Sequence, residues 1–158
     1  MSGGEHMLRL ERTLAAPRAA VWRCWSEPAL LERWFCPKPW FVTDARLDLR
    51  TGGEMATVMN GPEGERVENS GLYLEVEPGR RLIFTDAFTA GWKPSAKAFI
   101  VAEITLDDAP DGGTLYTAVV RHWNEEDRKQ HEEMGFHPGW NAAADQLEEL
   151  ARSLGGDA

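Results

Sequence analysis

Hydrophobic residues near the end of the chain recur every three or four positions, which is the period of an α-helix with one buried face. Polar residues such as Asp145, Glu148 and Arg152 occupy the other side of this pattern. The apolar stripe consists of Trp140, Ala143, Ala144, Leu147, Leu150, Ala151 and Leu154. Because this is the longest helical pattern in the sequence, we expect it to form a helix that covers a whole sheet.

A shorter helix is predicted just before the long one. Asn124 is followed by three acidic residues, which is typical of a helix start, because the Asn side chain can cap free amides and the acids favour the positive end of the helix dipole. Gly135 and Pro138 interrupt the pattern, since proline disfavours helical geometry in the residue before it. We therefore predict a helix to about Met134, a turn over residues 135–138, and then the long helix.

At the start of the chain the hydrophobic period is two. Residues 7–14 alternate apolar and polar side chains, as in a strand with one buried face. Pro17 then opens a helix, because the amide that proline lacks would have no partner at a first helical position. Ser26 is expected to cap a second short helix, which begins at Pro28 and ends before Pro37.

Six further strands are predicted between turns rich in glycine and proline. They are residues 40–49, 54–60, 66–76, 80–88, 96–106 and 113–123. Residues 89–95, which include Trp92, are expected to form a loop at one end of the sheet. The fold class is therefore α+β, an antiparallel sheet with helices on one face. We expect one domain over residues 6–154, with flexible ends at residues 1–5 and 155–158.

The net charge, the lack of long apolar stretches and the two cysteines indicate which partners, location and thiol state to expect. The formal net charge is −9 and there is no run of Lys or Arg, so nucleic acid is not an expected partner, because binding it requires basic residues that neutralise phosphates. The sequence lacks an apolar stretch near 18 residues and a signal-peptide pattern, so we expect a cytoplasmic protein without a membrane partner. In that compartment Cys24 and Cys36 are expected to be buried thiols rather than a disulfide.

Short motifs along nearly the whole chain resemble a known family. They are Arg12, Ala16, Pro17, Val21, Trp22, Trp25, Pro28, Leu31, Trp34 and Pro37, then Asp44, Arg46, Gly52, Gly53, Gly61, Pro62, Gly64, Gly71, Glu75, Pro78, Arg81 and Leu82, and finally Gly113, Thr114, Gly135, Phe136, Gly139, Trp140, Leu147 and Leu150. The set resembles the family of homologues of the activator of heat-shock protein 90 ATPase. This family is part of the START-related (SRPBCC, helix-grip) superfamily, which also includes birch-pollen-allergen-like proteins and polyketide cyclases.

The resemblance implies a helix-grip fold. In this fold a seven-stranded curved antiparallel sheet wraps round the long C-terminal helix, and two short helices lie between strands 1 and 2. A cavity is expected between the sheet and the long helix, with its mouth closed by the short helices and strand loops. This cavity is the candidate functional site.

Aromatic and methionine side chains are the candidates for lining or closing the cavity. Methionine adapts its shape and tryptophan offers one polar N–H, which suits a mostly apolar site with few orienting groups. The candidates are Trp34, Trp40, Met55, Met59, Phe84, Phe88, Trp92, Phe99, Trp123, Met134 and Trp140. The alternative is that these large side chains simply fill the core. We expect the cavity to bind a small lipophilic or aromatic molecule without a cofactor.

A cyclase- or hydratase-type enzyme acting in the same cavity is an alternative. His122 could act as an acid or base if its ring faces the cavity, because its ordinary pKa lies near neutrality. The alternative is a surface or hydrogen-bonded structural histidine. Asp86 shares a strand side with Phe84 and Phe88, so it is either a solvated residue or a pocket carboxylate with a raised pKa. Covalent catalysis is not supported, because no Ser lies in a glycine-framed elbow.

The sequence also bears on metal binding, chaperone binding and dimerisation. His131 and His137 are six residues apart across a predicted turn, which does not match the i, i+4 spacing of a helical zinc site, so we expect no metal. The family name suggests a co-chaperone-like interaction protein. However, the protein that gave the name has a separate amino-terminal domain for the chaperone, and we expect no room for one here. Pairing of Trp34, Trp40 and Trp92 across a homodimer interface is a further alternative to a ligand-covering role.

Overall fold

The computed structural model describes residues 6–96 and 98–155, and this part of the chain forms one seven-stranded sheet, one small hairpin and four α-helices. The strands of the sheet are β1 (Met7–Leu14), β2 (Phe41–Leu47), β3 (Glu54–Asn60), β4 (Arg66–Glu77), β5 (Arg81–Thr85), β8 (Val101–Asp108) and β9 (Thr114–Arg121). The hairpin consists of β6 (Phe88–Thr89) and β7 (Lys93–Pro94). The helices are α1 (Arg18–Ser26), α2 (Pro28–Leu31), α3 (Glu125–Glu133) and α4 (Phe136–Gly155).

The sheet is antiparallel throughout and has the order β1-β9-β8-β5-β4-β3-β2. After β1 the chain passes through α1 and α2 to the far edge, and the remaining strands return one neighbour at a time until β9 pairs with β1. In that last pair Leu10 lies opposite Ala118. This topology confirms the α+β class and the helix-grip architecture.

The core lies between the inner face of the sheet and helices α1 and α4. The α4 residues Ala144, Leu147 and Ala151 are at most 1% exposed, which confirms the predicted apolar stripe. They pack towards α1 and β1, where Leu10 and Leu14 are buried by the alternation expected for a half-buried strand.

Polar side chains of α4 fix the helix to its neighbours. Arg12 on β1 donates to the Asp145 carboxylate at 2.8 Å and to Glu148 at 3.4 Å. Gln146 holds the loop between α2 and β2, because its amide donates to the carbonyls of Trp34 at 3.0 Å and Cys36 at 2.9 Å. Its side-chain oxygen accepts from the Lys38 amide at 3.0 Å.

The predicted turn over residues 135–138 is wrong. Helix α4 already begins at Phe136, so the break between α3 and α4 is confined to Met134 and Gly135, and Gly135 takes a φ of +100° that favours glycine. Pro138 lies in the first turn of α4, where backbone amides have no helical partner, and it therefore does not stop the helix. The first i→i−4 bond runs from Gly139 N to Gly135 O at 2.8 Å.

The predicted cap at Ser26 is also wrong. Ser26 is the last residue of α1, and its hydroxyl donates to the Trp22 carbonyl at 2.8 Å. Glu27 occupies the position before α2 and makes no side-chain capping bond. At the C-terminus, Gly155 belongs to α4 rather than to a flexible end. The other predicted flexible residues, 1–5 and 156–158, lie outside the described residues.

Two predicted strands are shorter than expected at the same place. β5 ends at Thr85 instead of residue 88, and β8 begins at Val101 instead of residue 96, with Lys97 outside the described residues. The hydroxyl of Thr85 donates to Ile100 O at 2.7 Å and accepts from Ala87 N at 3.0 Å. Hydrogen bonds of the Thr85 side chain therefore replace the backbone hydrogen bonds between the two strands at this point. The expected loop after β5 forms the β6–β7 hairpin.

We expect Gln146→Ala to lower the free energy of unfolding by about 2 kcal/mol, because it leaves three backbone groups without their bonds. Urea denaturation followed by circular dichroism would measure this. Glu149→Ala is the matched control on the exposed side of the same helix, and it should change stability by less than about 0.5 kcal/mol. Equal losses in the two variants would contradict the role assigned to Gln146.

Candidate functional site

Trp25 lies at the centre of the interior. Its indole is 1% exposed and packs against three other aromatic rings. The ring centroids of Trp34, Phe35 and Phe84 lie 4.9, 5.7 and 5.9 Å from that of Trp25. These rings come from α1, from the loop after α2 and from β5, so the cluster joins both short helices to the sheet.

Three polar atoms of aromatic side chains face this apolar interior. The Trp25 N–H and the Tyr73 hydroxyl are buried and find no hydrogen-bond partner among the described residues. Burial raises the pKa of the Tyr116 hydroxyl, and the nearby Trp25 N–H opposes this effect without reaching hydrogen-bond geometry. Burial also raises the pKa of Tyr73. Since buried polar groups are almost always paired, the Trp25 N–H and the Tyr73 hydroxyl are the chemically distinctive feature of the interior.

Three of the predicted lining residues belong to this core. Trp34, Met55 and Phe84 are 3%, 8% and 9% exposed. Trp34 therefore lies inside the core and does not close an opening at the surface. Its N–H donates to the Cys24 carbonyl at 2.9 Å, so the only polar group of this side chain already has a hydrogen-bond partner.

The other predicted lining residues are spread over several parts of the surface. Trp40, Met59, Phe88, Phe99 and Trp140 are half-buried, whereas Trp92, Trp123 and Met134 are 49%, 51% and 69% exposed. The Trp92 ring packs against Phe88, with centroids 5.7 Å apart, and lies over Gly52. A Cβ at Gly52 would lie 2.9 Å from the Trp92 ring nitrogen, so only glycine fits there. Trp92 thus covers a turn, and the predicted set does not form one site.

Asp86 is neither a solvated residue nor a carboxylate in an apolar pocket. Its Oδ1 accepts hydrogen bonds from the amides of Phe99 at 2.8 Å and Ile100 at 3.1 Å. The carboxylate therefore closes the excursion between β5 and β8. The sequence offered no signal for this contact, because its partners are backbone groups 13 and 14 positions away.

His122 is buried in a cluster of histidine and phenylalanine rings. Its Nδ1 lies 3.0 Å from the His6 carbonyl, and its Nε2 lies 2.9 Å from Nδ1 of His131. A carbonyl only accepts, so His122 carries its proton on Nδ1, and in the neutral pair His131 donates to Nε2. Burial, and then the neighbouring His122, lowers the pKa of His131 to about 4. Both ring nitrogens of His122 are therefore engaged by protein atoms.

The described residues contain no group of three or more His, Cys, Asp or Glu side chains that could hold a metal ion. His137 is exposed and pairs with Glu132 at 3.4 Å instead of meeting His131.

Cys24 and Cys36 are buried free thiols, and burial raises the pKa of each to about 11. A surface cleft of about 410 Å³ lies between residues 13–17 and 110–113, away from all the predicted site residues.

Comparison with known proteins defines the family. Residues 15–152 match the family described as Activator of Hsp90 ATPase homolog 1-like protein. The chain belongs to this family. It is therefore part of the SRPBCC, or START-like, superfamily that the sequence motifs indicated, and a fold of this kind is a ligand-binding domain in general.

Solved structures of similar proteins have the same fold. A protein from Nitrosomonas europaea is 46% identical, covers 97% of each chain and superposes with a TM-score of 0.90. A protein from Mycobacterium smegmatis is 26% identical over 92% of this chain and 90% of its own, with a TM-score of 0.78. An AHSA1 protein from Silicibacter pomeroyi is 25% identical over 96% of this chain and 99% of its own, with a TM-score of 0.67. No curated protein matches the chain.

Among the described helices, none has the length and apolar character needed to cross a membrane.

We expect Asp86→Ala to lower the free energy of unfolding by about 2 kcal/mol, because two amides lose a charged acceptor. Asp86→Asn is the matched control, since its side-chain oxygen can still accept, and it should cost about 1 kcal/mol. Urea denaturation gives both values, and hydrogen exchange of residues 98–100 should rise more in the alanine variant. Unchanged exchange there would contradict the closing role of Asp86.

Proposed function

We propose that the chain binds a small, largely apolar or aromatic molecule that carries one hydrogen-bond acceptor. The proposed binding site is the interior between α1, α4 and the inner face of the sheet. There the acceptor atom of the ligand accepts a hydrogen bond from the Trp25 N–H. The observation that carries this proposal is the absence, among the described residues, of any partner for that buried N–H.

The comparison of Trp25 with Trp34 supports this proposal. The two rings are in contact and both are buried, yet the Trp34 N–H has a backbone acceptor and the Trp25 N–H has none among the residues described. A buried donor without an acceptor costs about 1–3 kcal/mol. A ligand acceptor placed beside Trp25 would recover that free energy, and the Tyr116 hydroxyl next to it offers a second polar contact.

A ligand could enter the interior only if side chains around it move apart. Met55 and Phe84 keep 8% and 9% exposure, and an unbranched methionine side chain reorients easily. On α4, the small residues Ala143 and Ala144 face the core, where larger side chains would occupy more of the volume. The interior is therefore apolar, with few orienting groups, as expected for a small-molecule site.

Binding is better supported than catalysis. Asp86 and His122, which would move a proton in a cyclase or hydratase, have hydrogen bonds to protein groups at distances of 2.8–3.1 Å. His122 would have to break one of its two bonds before exchanging a proton with a substrate, and the bonded Oδ1 of Asp86 holds that carboxylate against the backbone. An acceptor bound to the Trp25 N–H would break no hydrogen bond of that group, although it would have to displace packed side chains around the ring.

The first test is native mass spectrometry of the freshly purified protein, followed by extraction and identification of any bound molecule. The extracted molecule, or the best binder from a panel of lipophilic and aromatic compounds, is then titrated into stripped protein. An empty protein that also binds nothing from the panel would contradict the proposal and favour the co-chaperone-like alternative.

Two tryptophan variants test the position of the acceptor. We expect Trp25→Phe to weaken binding about tenfold, because it removes only the N–H donor and part of the ring. Trp34→Phe is the matched control: it should leave the affinity nearly unchanged but lower the free energy of unfolding by about 1 kcal/mol, since its N–H is already bonded. Calorimetric titration and urea denaturation give both quantities. Equal affinities for Trp25→Phe and the unmodified protein would place the acceptor elsewhere.

A further inference from the structure

Helix α3 is attached to the rest of the protein by few contacts. None of its nine residues, all of which the structure describes, is buried. Asp127, Arg128 and His131 are half-buried, and the others are exposed. Burial of an apolar face supplies most of the stability of protein helices, and a helix this short is not stable alone. Helix α3 therefore depends on a small number of specific contacts.

His131 makes the most extensive of these contacts. Its ring centroid lies 5.2 Å from Phe99 and 5.2 Å from Phe136, and its Nδ1 bonds to His122. One side chain thus ties α3 to the residue that follows β9, to the segment before β8 and to the start of α4. Gly135, with its φ of +100°, is the joint between α3 and α4.

The bond between the two histidines is suited to neutral rings. His122 is fixed as an Nδ1–H donor to the His6 carbonyl, so its Nε2 accepts the Nδ1–H of His131. If both rings were protonated, two donors and two positive charges would face each other at 2.9 Å. A single imidazolium would lie among the rings of Phe99 and Phe136, where it is poorly solvated.

We propose that the hydrogen bond between His122 and His131 is a pH-sensitive latch, which holds α3 over Phe136 near neutral pH and releases it in mildly acidic solution. Phe136 is 2% exposed and belongs to the hydrophobic core. Release of α3 would therefore uncover core surface at the start of α4. This inference concerns α3 alone and does not depend on a ligand.

The direction of the pH effect follows from the pKa of His131. In docked α3 this pKa is lowered to about 4, whereas in released α3 it returns towards its ordinary value of 6.5. Released α3 therefore binds more protons below that value. Docking is fully favoured above about pH 6.5 and weakens as the pH falls towards about 4.

The other charged groups around the latch form pairs of a carboxylate with a basic side chain. Glu125 faces His6 at 3.5 Å, and its bond to Arg128 lowers its pKa to about 2, so it stays ionised throughout. Glu132 faces His137 at 3.4 Å. Both contacts pair a histidine with a carboxylate, so neither places two cations against each other. Release in acid would therefore have to come from the latch.

The test is hydrogen exchange of residues 124–136 in the full chain, measured by mass spectrometry at about pH 7.5 and about pH 5 and corrected for the intrinsic exchange rate. We expect the opening equilibrium of α3 to rise on the order of tenfold at the lower pH. Equal opening at the two values would overturn the proposal.

Two histidine variants separate the latch from its surroundings. His131→Gln keeps a neutral donor and an acceptor for His122 but removes the titrating ring, so α3 should open equally at both pH values. His137→Gln removes a nearby imidazole outside the latch and should retain the response. A full response in His131→Gln, or loss of the response in His137→Gln, would overturn the proposal. If His131→Gln does not fold, the unmodified protein and His137→Gln still decide the outcome.

Discussion

The packing of α4 on α1 and β1 is the constraint on which the rest of the structure depends. A sheet with one apolar face is stable only when that face is covered, and α4 is the longest element available to cover it. Leu147 and Ala151 are fully buried in this contact, and Ala144 is nearly so. Small side chains at two of these positions let the helix approach closely. The polar contacts of Arg12 and Gln146 then fix the rotation of the helix and the loop that it supports.

Local periodicity explains why most of the architecture could be predicted from the sequence. The period of two in β1 and the 3.6-residue period of α4 directly identify the inward positions, and the structure has most of them buried, with Trp140 and Leu154 half-buried at the ends of the α4 stripe. The errors occur where a side chain bonds to a distant backbone group. Thr85 and Asp86 end β5 through contacts with Phe99 and Ile100, and no local pattern encodes such a contact. The predicted break at Pro138 is wrong because the chain already turns at Gly135, whose φ is +100°. Helix α4 can therefore begin at Phe136, which places Pro138 in its first turn.

The candidate site was much harder to predict. Large apolar side chains are predicted to line the site, but their burial depends on tertiary position: Trp34 is in the core, whereas Trp123 is half exposed. Trp25 belongs to the family motifs but not to the predicted site residues. Its burial follows from the pattern of α1, but the lack of a partner for its N–H among the described residues is visible only in three dimensions. Tyr116 had a weaker signal, its inward position in the alternation of β9.

Two kinds of buried polar atom therefore have different consequences in this protein. The Trp25 N–H carries no titratable proton in the accessible pH range, so it responds to the chemistry of a bound molecule rather than to pH. His122 and His131 bond to each other and to a carbonyl, so they offer nothing to a ligand, but their mutual bond depends on protonation. Phe136, which His131 covers, is part of the same core as Trp25. A change at the latch would therefore alter the packing of the interior in which the ligand is proposed to bind.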